Sequence, residues 1–325
     1  MSLAFLYPGQ GSQSLGMGKF LFDEFKMARD IFTEASDTIS LDIKKLCYNS
    51  DEQTLSLTEN TQPVLLTVCM ATTQVLKNEF GLTPTITAGH SIGEYSSFCV
   101  AEVMPFATAV KAVRLRGESM QAAVPVGQGG MMAVLGLTEP QITFLCSHAE
   151  KESGQAPLQP ANFNCDGQIV ISGNLKALHW LKDNFKPEIL LENKLISDVS
   201  EVRRVKFIPL QVSAPFHCSM MKPAEEQMKL FFDGTVFSAA KIPIIQNFIA
   251  EPVTDAVQLK SNLINQISGS VKWTQSMLKL KSLGVSKCIE VGNGQVLKGL
   301  MKKIDPEYFT MFSTNSLDEI KAIKL

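Results

Sequence analysis

Thr85-Ile86-Thr87-Ala88-Gly89-His90-Ser91-Ile92-Gly93-Glu94 is the stretch whose reading decides the fold. Thr85–Gly89 reads as a strand and Ile92–Val100 as a helix. Between them stands GxSxG. Small residues on both sides let the chain turn sharply and lift the Ser91 hydroxyl to the helix N-terminus, the arrangement of a nucleophile elbow. The next backbone N–H, that of Ile92, is then free to stabilise a tetrahedral oxyanion. The same letters also describe a glycine-flanked turn whose serine merely caps a helix.

Outward from this stretch the alternation continues. Leu3–Tyr7 predicts a buried strand, followed by the loop Pro8-Gly9-Gln10-Gly11-Ser12-Gln13, and Lys287–Val291 predicts a third strand. Helix-compatible sequence fills 18–35 and 62–80. This order implies an α/β fold with a mainly parallel sheet. At Gly127-Gln128-Gly129-Gly130 the texture changes. Strand Met131–Leu137, helix Glu139–Glu152, strand Gln168–Ser172, helix Leu175–Asn184 and strand Arg204–Leu210 succeed one another. That β-α-β-α-β order predicts a small ferredoxin-like unit inserted into the larger one. The expected division is a catalytic domain of 1–128 and 209–325 carrying an inserted domain of 129–208. The charged stretch Glu188–Arg204 reads as a surface excursion.

Composition narrows the function classes. The chain has 325 residues, 45% hydrophobic and 19% charged, enough apolar material for a core and too ordered a composition for a disordered chain. Thirty basic against 32 acidic residues give a net charge of −2, which removes the electrostatic case for a general nucleic-acid binder. No run reaches the roughly 18 apolar residues of a membrane span, and Met1-Ser2-Leu3-Ala4-Phe5 has no cationic lead, so neither a membrane anchor nor a signal peptide is expected. Seven cysteines without a CxxC fit reduced thiols, a cytoplasmic location and no zinc site.

A serine nucleophile needs a base, and there are four histidines. His90 adjoins Ser91 within the elbow, where its ring points away from the hydroxyl. His148 and His179 fall on helices of the inserted unit. Elimination leaves His217, in Val212-Ser213-Ala214-Pro215-Phe216-His217-Cys218, as general base, with a structural loop histidine as the alternative. Cys218 reads as a buried bystander, because neighbours along an extended chain point apart. No acid stands out as a third member, but a backbone carbonyl can also fix a histidine tautomer. Arg116 is the other informative residue. On the helix beginning near Pro105, Lys111, Arg114 and Glu118 share one face. Arg116 falls instead in line with Ala109, Ala112, Val113 and Met120, the apolar stripe. A guanidinium there is costly unless it meets an anion, either a protein carboxylate or a substrate carboxylate.

These blocks together resemble the malonyl-CoA:acyl-carrier-protein transacylases of fatty-acid synthesis and the related polyketide synthase acyltransferases. The resemblance runs through Pro8–Gln13, Thr61-Gln62-Pro63, Gly89–Tyr95, Arg114-Leu115-Arg116-Gly117 and Asn162-Phe163-Asn164. It continues through Ala214–His217, Met221-Lys222-Pro223 and Glu290-Val291-Gly292. It implies a hydrolase-like α/β domain, with Ser91 as nucleophile, His217 as base, and the backbone N–H groups of Gln10 and Ile92 as the oxyanion hole. Arg116 would hold the malonyl carboxylate, with Gln62, His90, Asn162 and Phe216 around the substrate. The main-chain carbonyl of Gln266 would orient His217. Two departures stand out: Asn293 replaces a proline common after Glu-Val-Gly, and 188–204 is longer than usual.

The reaction so implied is a two-step acyl transfer from malonyl-CoA to the phosphopantetheine thiol of an acyl carrier protein. Coenzyme A thioester is then a substrate, and no metal or redox cofactor is needed. A monomer is expected. A stand-alone polyketide synthase acyltransferase, an acyl hydrolase and a non-catalytic carrier-binding scaffold remain as alternatives. Lys298, Lys302 and Lys303 read either as a solvated face or as a docking site for an acidic carrier. The Phe216 ring reads as the wall met by an α-methyl group, or as a core aromatic supporting its loop.

Overall fold

The computed structural model describes residues 2–202, 204–212 and 214–324. Met1, Arg203 and Ser213, whose stretches were assigned from the sequence, lie with Leu325 outside the described residues. The described residues form ten strands: β1 (Leu3–Tyr7), β2 (Ile86–Gly89), β3 (Gly129–Leu135), β4 (Leu158–Cys165), β5 (Gln168–Asn174), β6 (Lys206–Pro209), β7 (Ile244–Gln246), β8 (Glu251–Val253), β9 (Lys287–Glu290) and β10 (Thr310–Phe312). The larger sheet has the order β10-β9-β1-β2-β7-β8 and is parallel except for the β7–β8 pair. β1 and β2 are buried along their whole length, as expected where both faces of a parallel sheet are covered.

Register then places the site. Tyr7 pairs with Gly89, so β1 and β2 end side by side. The 8–13 loop and the Ser91 turn therefore leave the same edge, the carboxyl ends of the strands, where open α/β sheets hold their ligands. Two glycines make the turn possible. A Cβ on Gly89 would lie 2.0 Å from the Gly93 carbonyl carbon, and one on Gly93 would lie 2.3 Å from the Tyr7 oxygen. Both contacts are with backbone, which cannot move aside cheaply. Gly93→Ala is expected to destabilise the fold by about 3 kcal/mol. Urea unfolding checks this, and an unchanged midpoint would mean that the turn has room.

The Thr58–Phe80 helix is buried over most of its length, and Phe106–Ala122 packs across it. Gly117 permits the close approach: a Cβ there would lie 2.6 Å from the Glu59 Cα. The crossing carries Arg116 to Gln62. The predicted apolar stripe is the buried one, holding Ala109, Ala112, Val113, Arg116 and Met120. Arg114 and Glu118 pair on the other face at 2.6 Å.

The second sheet is antiparallel, in the order β4-β5-β3-β6, with the Glu139–Ser153 and Leu175–Asn184 helices packed on it. With β4 included this is a complete β-α-β-β-α-β ferredoxin-like insert. The sequence reading has one strand too few. Leu158–Cys165 lacks alternation, contains Pro160, and bulges between Pro160 and Asn162 and again between Phe163 and Cys165. Those features are tolerated because β4 is an edge strand. Its outer side is tied to the larger unit, with Phe163 N–H donating to the Val271 carbonyl and Val271 N–H to that of Ala161.

Two further expectations are corrected. The helical span 18–35 is two helices, Lys19–Glu24 and Lys26–Ile39, separated by Phe25 in extended conformation. Arg29 Nη1 caps the first one by donating to the Phe22 and Asp23 carbonyls, which the break leaves without helical partners. The stretch 188–204 is more than a surface excursion. Within it Leu190, Ile196 and Val202 are buried in the core of the insert, hidden in the sequence by the charges between them.

Candidate active site

Ser91 has φ 52°, a left-handed conformation rare for a residue with a Cβ, and His217 has φ 60°. The two strained positions meet. Ser91 Oγ lies 2.7 Å from His217 Nε2. His217 Nδ1 lies 2.9 Å from the Gln266 carbonyl oxygen and 3.2 Å from that of Gly269. Carbonyls only accept, so Nδ1 carries the proton and Nε2 is left to accept from the serine hydroxyl. Burial, with the Arg116 charge second, pushes the His217 pKa down to about 3. The imidazole is therefore neutral at neutral pH.

Arg116 is 1% exposed. Its Nη1 donates to Gln62 Oε1 at 2.9 Å, and its Nη2 to Gln266 Oε1 at 3.1 Å and Ser91 Oγ at 3.2 Å. Among the described residues it makes no ion pair; the salt bridges on its helix belong to Arg114. Its Nε is buried without a hydrogen bond, as is the Tyr95 hydroxyl nearby. Burial raises the pKa of that hydroxyl, and the guanidinium opposes the rise. Its hydrogen bonds all go to neutral oxygens, and the Glu94 carboxylate acts on it only from behind Gln266, so the cation keeps charge available to an incoming anion.

A cavity of about 100 Å³ opens above these groups, lined by Gln10, Gln62, His90, Ser91, Ile92, Arg116, Asn162, Phe216 and His217. Met120, Met131, Leu210 and Val212 complete the wall, and none of these four is among the residues the sequence assigns to the site. Among the described residues nothing accepts from the Gln10 or Ile92 backbone N–H. Gln266 is not in the wall; it reaches the site from beneath. The His90 ring borders the cavity, but its Nε2 lies 2.8 Å from Asn164 Oδ1, bracing the elbow against β4. Cys218 is buried, with its Sγ 3.1 Å from the Pro215 carbonyl oxygen, and burial raises its thiol pKa. Asn293 donates from Nδ2 to the Ser12 carbonyl at 2.6 Å and to Ser14 Oγ at 3.0 Å, steadying the 8–13 loop as a proline cannot. Lys298 Nζ donates to Ser313 Oγ at 3.3 Å and Lys303 Nζ to Gln168 Oε1 at 2.9 Å, so two of the three lysines are engaged at the protein's own surface.

Sequence reasoning missed two residues. Glu94 is fully buried and accepts from Gln246 Nε2 at 3.1 Å, Asn247 N at 2.9 Å and Gln266 Nε2 at 3.1 Å. Burial pushes its carboxyl up to about 7, against those three bonds. Asn247 Oδ1 accepts from Ser91 N–H at 2.7 Å, and its Nδ2 donates to the Gly89 carbonyl at 2.7 Å. Glu94 had one signal: an acid on a short helix with no polar face. Asn247 had none.

A parallel α/β sheet with a serine elbow, closed over by a ferredoxin-like insert, is the architecture of an acyltransferase. Residues 4–254 match the family described as acyl transferase domain. A malonyl CoA-acyl carrier protein transacylase of Bacillus subtilis (strain 168) is 40% identical over 304 residues, 93% of this chain and 90% of that protein. The crystal structure of an acyl carrier protein S-malonyltransferase from Vibrio cholerae superposes with a TM-score of 0.90, at 35% identity and 100% coverage of both chains. A malonyl-transacylase in complex with its type II PKS acyl-carrier protein gives 0.89, at 33% identity, covering 99% of this chain and 98% of that one. The chain belongs to the acyl transferase family, among its malonyl CoA-acyl carrier protein transacylases. Among the described residues no helix is long and apolar enough to cross a membrane.

Proposed function

We propose that the protein moves a malonyl group from coenzyme A to the phosphopantetheine thiol of an acyl carrier protein. One observation carries this reading: a buried Arg116 without a carboxylate partner, its Nη2 3.2 Å from Ser91 Oγ. A hydrolase or esterase of uncharged acyl groups has no use for such a cation. Ser91 Oγ attacks the thioester carbonyl while its proton passes to His217 Nε2. The oxyanion receives hydrogen bonds from the Gln10 and Ile92 backbone N–H groups. Collapse breaks the C–S bond, and the departing thiolate takes the proton from His217. The carrier thiol then repeats the sequence on the serine ester, with CoA replaced by the carrier and Ser91 as leaving group. Arg116, steadied by Gln62 and Gln266, keeps the malonyl group in place between the halves. His90, Asn162 and Phe216 form the walls around it.

In this reading no metal or redox cofactor takes part, and the protein works as a cytoplasmic monomer. The catalytic unit is 1–128 with 209–325, and the insert is 129–208. Mixing with malonyl-CoA and recording an intact mass tests the reading. A persistent malonyl adduct, discharged by holo carrier protein, is expected. Loss to free malonate would indicate a hydrolase, and no adduct a scaffold; either result overturns the proposal. A polyketide carrier is the second reading, favoured by the relative solved with its type II PKS carrier. Discharge rates with the two carrier classes separate them.

Phe216 precedes His217 and borders the cavity where an α-methyl would project. Selection against one methyl in such a pocket is worth about 1–3 kcal/mol, so malonyl should load faster than methylmalonyl by roughly ten- to a hundredfold. Phe216→Ser is expected to narrow that ratio. Equal loading of both by the unaltered protein would remove Phe216 from this role.

A further inference from the structure

Four groups at the site depend on two residues, three of them on side chains and the fourth on a main-chain carbonyl. Asn247 holds the Ser91 N–H through Oδ1, at 2.7 Å. Gln266 holds the Ser91 carbonyl through Nε2 at 3.0 Å and Arg116 Nη2 through Oε1 at 3.1 Å, while its own carbonyl takes His217 Nδ1 at 2.9 Å. Both meet at one carboxylate: Glu94 Oε2 accepts from the Asn247 backbone N–H at 2.9 Å and from Gln266 Nε2 at 3.1 Å. Its other oxygen accepts from Gln246 Nε2, whose residue is fixed in turn by Asn262 and by the Leu259 carbonyl.

Only an acceptor satisfies this centre. Three N–H donors converge on the two Glu94 oxygens, and a glutamine in that place would turn an NH2 toward at least one of them. The donors also fix the Gln266 amide. With Nε2 on Glu94 and the Ser91 carbonyl, Oε1 must face the guanidinium. The reversed amide would set oxygen against two oxygens and NH2 against the arginine.

We propose that Glu94 is a positioning residue of the site: through Asn247 and Gln266 this buried carboxylate fixes the Ser91 backbone, the Arg116 guanidinium and the seat of the His217 ring. Glu94 touches no substrate. It rigidifies the left-handed turn at Ser91 and keeps the serine hydroxyl aligned with His217 Nε2. This rests on Ser91 as the nucleophile.

The test is the rate at which a fluorophosphonate labels Ser91, because that reports the serine–histidine alignment without acyl-group recognition. Measurements are made well below each variant's own unfolding midpoint. Glu94→Gln is expected to slow labelling about tenfold or more; acetyl loading should lose kcat in step with labelling, and malonyl loading should lose more, because the Gln266 hold on Arg116 is loosened as well. A folded Glu94→Gln that labels at the wild-type rate, whatever its loss of stability, overturns the proposal. Asn247→Ala and Gln266→Met each remove one arm and are expected to slow labelling on their own, which keeps the test available if Glu94→Gln fails to fold. Unchanged labelling in both would overturn it. In the background lacking both arms, Glu94→Gln should add less than about twofold; a full further loss means that it does not act through them. Ser91→Ala is the control. If that variant is still labelled and loaded, the reading of Ser91 has failed, independently of Glu94.

Discussion

Ser91→Ala is expected to abolish the malonyl adduct and to lower transfer by about 10⁴-fold or more. The hydroxyl is 2.7 Å from a histidine nitrogen that can only accept, in a ring whose other nitrogen is committed to the Gln266 and Gly269 carbonyls. Removing the oxygen leaves the arginine and the oxyanion donors intact but no atom to carry the acyl group. His217→Ala should cost nearly as much, because an unassisted serine hydroxyl is a poor nucleophile. The double variant should be little worse than either one alone, since the two act as a unit. Stopped-flow loading and intact mass measure all three. A malonyl adduct surviving Ser91→Ala would place the nucleophile elsewhere. Cys218 is a poor candidate for it, with its sulfur turned to the Pro215 carbonyl and its thiol pKa raised by burial.

Much of this is legible in the sequence, because it is local. A strand closed by Gly89, a serine and Gly93 describe a turn whose steric demands lie within a few residues. The Cβ clearances at both glycines are the physical content of that pattern. The position of Arg116 on an apolar stripe was also readable, but its partner was not. A buried guanidinium is written the same way whether it meets a protein acid or a substrate acid. Only the crossing of two helices at Gly117 shows that it meets amide oxygens. β4 escaped notice because an edge strand need not alternate and tolerates a proline. The support of the site escaped for a different reason. Asn247 and Gln266 reach Ser91 across separations of 156 and 175 residues, and no spacing rule connects them. The carbonyl of Gln266 came from the family resemblance alone.

Arg116→Ala separates a transferase for dicarboxylic acyl groups from a general serine acyltransferase. In the proposed reading it removes a charge-assisted contact to the malonyl carboxylate and leaves Ser91 and His217 paired. Hydrogen bonds to charged groups are worth about 1.5–3 kcal/mol, so malonyl loading should fall roughly tenfold to a few hundredfold. Acetyl loading should hold or rise. Acetyl brings no anion, and the variant frees the pocket of a buried charge that acetyl cannot satisfy. The selectivity therefore shifts toward uncharged acyl groups by at least the factor lost on malonyl. A purely structural arginine predicts the opposite pattern, lower stability with equal losses on both substrates. The absence of any ion pair to Arg116 among the described residues already counts against that alternative. Acyl-enzyme formation with malonyl-CoA and acetyl-CoA, on a variant shown to be folded, decides the matter. Parallel losses, or none, would take Arg116 out of the site and with it the chief physical reason for naming malonate.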